Sequence, residues 1–166
     1  MGLIAAIMKQ YAEGPKLLEA ALEGLEESDL DAALAQDSWS IRQIVHHIAD
    51  GDDIWKVCMK MALGNPQAVF ELAWYWAIPQ NHWAELWGYD RREVDPSLKL
   101  FAANRRHVVQ LIESIPGGWE RTITLRTPQG DEQISVGWVV EMQARHVIGH
   151  IQDIEKIRGK ESANLH

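Results

Sequence analysis

Four stretches of this chain repeat apolar residues every three or four positions, the period of a helix with one buried face. The first runs from about Pro15 to Glu27, with Leu17, Leu18, Ala21, Leu22 and Leu25 in register. Pro15 either opens this helix or kinks a longer one that begins near Leu3. The second starts at Ser40, where Ser40 and Gln43 match the S-x-x-Q capping box. It continues through Ile44, Ile48, Trp55 and Met59 and stops at Gly64-Asn65-Pro66. The third covers about Ser97 to Ile115, ahead of Pro116-Gly117-Gly118, and the fourth runs from near Val136 to around Arg158-Gly159. Apolar stripes of this kind are buried against one another. The pattern predicts an all-α, four-helix bundle, with residues 1–166 as a single domain.

Two segments do not fit the helical period. In ERTITLRTPQGDEQISV, Ile123 and Leu125 alternate with polar residues, Pro128-Gln129-Gly130-Asp131 supplies turn chemistry, and Ile134 and Val136 resume the alternation. That is a small β-hairpin before the last helix. Residues 65–95 form a long crossover connection that carries Trp74, Trp76, Trp83 and Trp87, with a short helix near 67–77. Some of these indoles are expected to pack on the bundle or a second subunit, with at least one beside the functional site.

Charge excludes some partners. The formal net charge of −8, with no sizeable Lys/Arg cluster, argues against nucleic acid or an anionic membrane. No apolar run approaches the roughly 20 residues of a membrane span. The single cysteine, Cys58, cannot form an intrachain disulfide and fits a reducing cytoplasm.

Histidines carry the chemistry. At about 100° per residue, His47 shares the apolar stripe of its helix with Ile44, Gly51, Ile54 and Cys58. His46 turns about 100° away, toward Arg42, Gln43 and Asp50, and belongs to the polar side. His146 and His150 are spaced i, i+4, so both rings leave one helical face a turn apart. Two such imidazoles can share a divalent ion, and a third from a facing helix completes a site with open coordination positions. A hydrogen-bonded core role remains open for each of them. Burying three unpartnered imidazoles costs on the order of 1–3 kcal/mol each, which favours a shared partner. His46, His82, His107 and His166 are expected at the surface or in loops. Cys58, three turns beyond His47 and too far to share its metal, is expected as a small buried hydrophobe.

The stretch SWSIRQIVHHIADGD resembles the W-[ST]-[IV]-R-Q-[LV]-V-H-H-[LIV]-A-D segment of the DinB superfamily, especially its YfiT-like branch. Arg145-His146-Val147-Ile148-Gly149-His150-Ile151 resembles that branch's closing R-H-H-x-x-H-I. The resemblance implies an up-down-down-up four-helix bundle, often dimeric, with one divalent metal held by His47, His146 and His150. It also implies metal-dependent enzymes acting with low-molecular-weight thiols: bacillithiol transferases, mycothiol-dependent isomerases, and members classed only broadly as hydrolases. The chain departs from the branch at Val140, Met142, Gln143 and Val147, where Y-x-W-H and the second histidine of R-H-H usually stand.

The expectation is therefore a metal-dependent S-transferase, in which the ion favours the thiolate of a small thiol for attack on an electrophilic small molecule. A hydrolase using bound water is the alternative, and a non-catalytic metal-binding protein is a third. Zinc or nickel leads as the ion, with iron or manganese next. Asp50, one turn beyond His47, is a candidate base or a support for a ligand imidazole, and Asp153, three residues after His150, is a lesser one. A homodimer in the cytoplasm completes the expectation.

Overall fold

The computed structural model describes residues 2–65 and 67–164, with the backbone alone for 160–164; His166 and Pro66 lie outside it. Four long helices form the bundle: α1 (Leu3–Leu22), α2 (Ile41–Gly64), α5 (Val94–Ser114) and α6 (Val136–Asn164). Two short ones, α3 (Ala73–Trp76) and α4 (Gln80–Leu86), lie in the crossover connection. A 3-10 turn spans Asp29–Asp31.

Helix ends follow local chemistry. Ser40 caps α2, its Oγ accepting from the Gln43 N–H while Gln43 Oε1 accepts from the Ser40 N–H at 2.9 Å. In α5, Pro96 stands in the first turn, where a missing N–H costs nothing. Helix α1 takes the longer of its two sequence readings, starting at Leu3 and running through Pro15. It ends at Leu22, before the expected Glu27, because Gly24 adopts a φ of 78° and turns the chain away. Helix α6 runs past Gly159 to Asn164.

Helix directions follow from paired residues. His46 meets Ser97 and Asp52 meets Arg105, so α2 and α5 run parallel. Gly14 lies beside Val147, and Arg158 reaches the Ala21 carbonyl, so α1 and α6 also run parallel. The end of α1 (Leu18, Ala21) shares a core with the start of α2 (Ile41, Ile44), so these two are antiparallel. The order is up-down-down-up. Helix α2 packs on both α5 and α6, and α1 packs on the same two.

The hairpin forms as expected, from β2 (Thr122–Thr127) and β3 (Gly130–Ser135), with Ile123 opposite Ile134 and Gly130 at a φ of 133° in the turn. Val136 starts α6 instead of ending the strand. Unexpected from the sequence, β1 (Val69–Glu71) pairs in parallel with β2 and makes a three-stranded sheet. Phe70, Ile123, Leu125 and Ile134 bury one face of that sheet against Met59, Ala62 and Val139. This core fills one end of the bundle, and a second around Ile44, Ile48, Phe101 and Ile154 fills the other. Among the described residues, no helix is long and apolar enough to cross a membrane.

Candidate metal centre

His47 on α2 and His146 and His150 on α6 meet where these helices pack. The Nε2 atoms of His47 and His146 lie 3.0 Å apart, and those of His146 and His150 lie 3.1 Å apart. The rings stand edge to face, with centroids 4.5 to 5.0 Å apart. Metal–nitrogen bonds of about 2.0–2.1 Å in tetrahedral geometry separate ligand nitrogens by about 3.4 Å, so a few tenths of an ångström of adjustment admits an ion. Burial, reinforced by the neighbouring imidazoles, pushes His47 down to about 2. Burial first, then His150 and the Arg105 guanidinium, pushes His146 down to about 4, and burial lowers His150. Neutral imidazole is the ligating form. The Nδ1 atoms of His146 and His150 are buried and have no hydrogen-bond partner among the described residues. Three uncharged imidazole nitrogens facing one another at this spacing can share a cation through their lone pairs.

Trp39 supplies a wall that the sequence reading did not assign. It precedes the Ser40 cap, and Ile44 stands four residues into the helix, the two positions joined in a hydrophobic staple. Both border one cavity of about 290 Å³. The staple brings the indole over the first turn of α2. There its ring lies 4.4 Å from that of His47, centroid to centroid, and 6.1 Å from that of His150, which it stacks on at 24°. The cavity reaches His150 on one side and Leu34 and Ile157 on others. The signal was present in the capping box, which fixes the direction of the residue before it.

The indoles of the crossover connection do something else. Trp74, Trp83 and Trp87 make ring contacts with Tyr75, Tyr89 and one another. They form an aromatic cluster of the connection, with Trp74 at its exposed edge, and the indole in ring contact with the three clustered histidines is Trp39.

His46 corrects the expectation of a polar-side residue. It is 0% exposed, between α2 and the start of α5. The Arg92 carbonyl only accepts, so Nε2–H donates to it across 3.2 Å and Nδ1 accepts from the Ser97 hydroxyl at 2.8 Å. Both nitrogens are committed, and burial lowers its pKa. A helix packed on two neighbours has two buried faces, and a single-stripe reading finds one of them. His82 and His107 are exposed as expected.

Asp50 lies on the same side as His46. It accepts from Arg92 at 3.3 Å and from the Tyr89 hydroxyl, and so ties the aromatic connection to α2. Asp153 borders the cavity, accepts from Lys156 at 2.8 Å and lies 3.9 Å from His150 Nδ1. Cys58 is buried in the core, which pushes its thiol up to about 12. Val140 and Val147 are core residues, and Met142 packs on the core beside them.

Beneath the histidines lies a buried polar cluster. Arg105, 1% exposed, donates to Asp52 at 2.6 Å and to the Tyr11 and Gln143 carbonyls at 3.0 and 3.1 Å. Its guanidinium also covers the Tyr11 ring at 3.7 Å. One side chain thereby links all four long helices a turn away from His146.

The chain matches the DinB superfamily over residues 10–154. A protein of Oceanobacillus iheyensis named "Putative metal-dependent hydrolase" is 26% identical over 144 residues, 86% of this chain and 78% of the relative. The structure of YfiT from Bacillus subtilis, described as "a probable metal-dependent hydrolase with an unusual four-helix bundle topology", superposes with a TM-score of 0.75 at 22% identity. It covers 96% of this chain and 90% of that one. A mycothiol-dependent maleylpyruvate isomerase superposes with a TM-score of 0.68 at 14% identity, over 92% of this chain and 61% of that one. At these identities the two superpositions establish the fold. The family match covers most of the sequence, including all three clustered histidines, and the chain belongs to the DinB superfamily.

Proposed function

We propose that this protein is a metal-dependent enzyme that joins a low-molecular-weight thiol to an electrophilic small molecule. The observation that carries the reading is the meeting of three neutral Nε2 atoms, one of whose rings, His150, lines a cavity. His47, His146 and His150 are the proposed ligands, for one divalent ion, zinc or nickel first and iron or manganese next. Bound there, the ion supplies positive charge that favours the deprotonated form of a thiol or of water. The histidines present uncharged nitrogens, Trp39 shields one side of them from solvent, and the Arg105 cluster holds α2 and α6 at fixed separation.

The choice of thiol over water rests on the carboxylates. Hydrolytic metal sites commonly add a free carboxylate as general base. Here Asp50 is held by Arg92 and Tyr89, and Asp153, the carboxylate bordering the cavity, is held by Lys156. A thiol needs less help, because its pKa starts far below that of water. The mycothiol dependence of one structural neighbour supports the same reading. Hydrolysis is the second reading, favoured by the names of the relatives. Turnover of a panel of electrophiles by metal-loaded protein, with and without added thiol, separates the two. Thiol-dependent loss of electrophile is expected, and thiol-independent hydrolysis at equal rate would transfer the assignment to water.

We further propose a homodimer, supported by the exposed Trp74 (51%) and Trp138 (45%), and a cytoplasmic location, supported by the acidic charge and the single buried cysteine. Sedimentation velocity at micromolar concentration tests the dimer, and a monomer there removes it.

A further inference from the structure

We propose that the cavity beside the histidines takes an uncharged apolar group, aromatic or branched, of a compact substrate, and that Trp39 sets this preference. The inference rests on the metal-site reading above.

Size comes first. The cavity of about 290 Å³ sits at the lower end of small-molecule sites, which run from about 300 to 1,000 Å³, and matches the liquid volume of about ten waters. That is room for one ring with short substituents. Its walls come next. Leu34, Trp39, Ile44 and Ile157 are apolar. Ser38 also lines it, but its hydroxyl already accepts from the Ala35 N–H at 2.7 Å and donates to the Ala35 carbonyl at 2.9 Å. The hydroxyl is committed within its own turn.

Charge decides the rest. Among the described residues, Asp153 is the charged residue of the lining, and no lysine or arginine lines it. Lys156 reaches Asp153 from outside and is committed to it. A carboxylate or phosphate placed among these walls, out of reach of the ion, loses water, gains no cationic side chain from the described lining and faces Asp153, which disfavours it. An apolar group gains the walls. Trp39 and His150, one of the three clustered histidines, both line the cavity, so a group stacked on the indole lies against the His150 edge of the site.

Metal-chelating hydroxamates test this without knowledge of the substrate. Isothermal titration of zinc-loaded protein compares acetohydroxamate, benzohydroxamate and 4-carboxybenzohydroxamate, with zinc content measured for each sample. Benzohydroxamate is expected to bind at least about tenfold tighter than acetohydroxamate, from burial of the ring. The added carboxylate is expected to remove about tenfold. Trp39→Ala should bring the benzo-to-aceto ratio to within about threefold, and Trp39→Phe should retain most of it. Leu34→Trp, which fills the cavity from the loop before α2, should also collapse the ratio, and this keeps the test decisive if Trp39→Ala folds poorly. Equal affinities for acetohydroxamate and benzohydroxamate in the wild type overturn the proposal. So does a carboxylate that binds as well as the plain ring, or a ratio unmoved in both cavity variants. Absence of zinc, or of acetohydroxamate binding to zinc-loaded protein, overturns the metal reading itself and the proposal with it.

Discussion

Arg105 occupies the hydrogen-bonding place that Pro15 leaves open. A residue at position 15 other than proline would donate its N–H to the carbonyl of Tyr11, four residues back, and proline has none. Arg105 Nη1 donates to that carbonyl at 3.0 Å instead, while Nε holds Asp52 at 2.6 Å and Nη2 holds the Gln143 carbonyl at 3.1 Å. The break in α1 is thus what admits a guanidinium from α5 to the centre of the bundle.

Breaking this cluster has a defined signature. Arg105→Met leaves Asp52 buried and unpaired, and should lower stability by about 3–5 kcal/mol in urea unfolding. Asp52→Asn combined with Arg105→Met should recover at least about 1 kcal/mol of that loss, because no charge is then stranded. A double variant no more stable than Arg105→Met alone would show that the ion pair is not the source of the effect.

The two adjacent histidines of α2 should behave oppositely. His47→Ala or His146→Ala removes one of the three facing nitrogens and should lower bound metal sharply, measured on protein purified without a histidine tag. His46→Ala should leave metal content unchanged and instead lower stability by about 1–3 kcal/mol, because the Arg92 carbonyl and Ser97 hydroxyl lose their buried partner. Full metal stoichiometry in His146→Ala removes the site.

The metal-free protein should weaken on acidification. His47 is pushed down to about 2 and His146 to about 4 from the ordinary imidazole value of 6.5. Below 6.5 the unfolded chain binds protons that the folded site refuses, so stability is lost as pH falls from 6.5 toward about 4, and toward about 2 for His47. The loss approaches about 1.4 kcal/mol per pH unit for each imidazole. Urea midpoints of chelator-treated protein at several pH values should fall through this window, and His146→Asn should make the fall shallower. A midpoint that rises on acidification contradicts the assignment.

Asp50 should prove to be an anchor of the crossover connection. Asp50→Asn keeps a hydrogen-bond acceptor for Tyr89 but loses the charge paired with Arg92. Metal content should stay at the wild-type value, and proteolysis within residues 65–95 should speed up several-fold. A loss of metal in Asp50→Asn would return this carboxylate to the site.

Much of this protein was legible in the residues alone. Apolar spacing located the four long helices, period-two alternation located the β2–β3 hairpin, and one capping box fixed the start of α2 at Ser40. The i, i+4 spacing of His146 and His150 and the inward turn of His47 marked the residues that the bundle brings together. Such readings succeed because they need only the local geometry of one helix or strand. The packing partners of each face were decided by tertiary structure. Helix α2 acquires α5 on one side and α6 on the other, so His46 is buried as deeply as His47 although only one of them lies on the apolar stripe. Residues 69–71 become a strand because β2 offers them an edge, and their own sequence carries no strand signal long enough to read. Trp39 faces the histidines because the staple at the start of α2 fixes its direction, while Trp74, Trp83 and Trp87 gather with Tyr75 and Tyr89 in the connection. Periodicity says which residues share a face; the packing of whole elements says what that face meets.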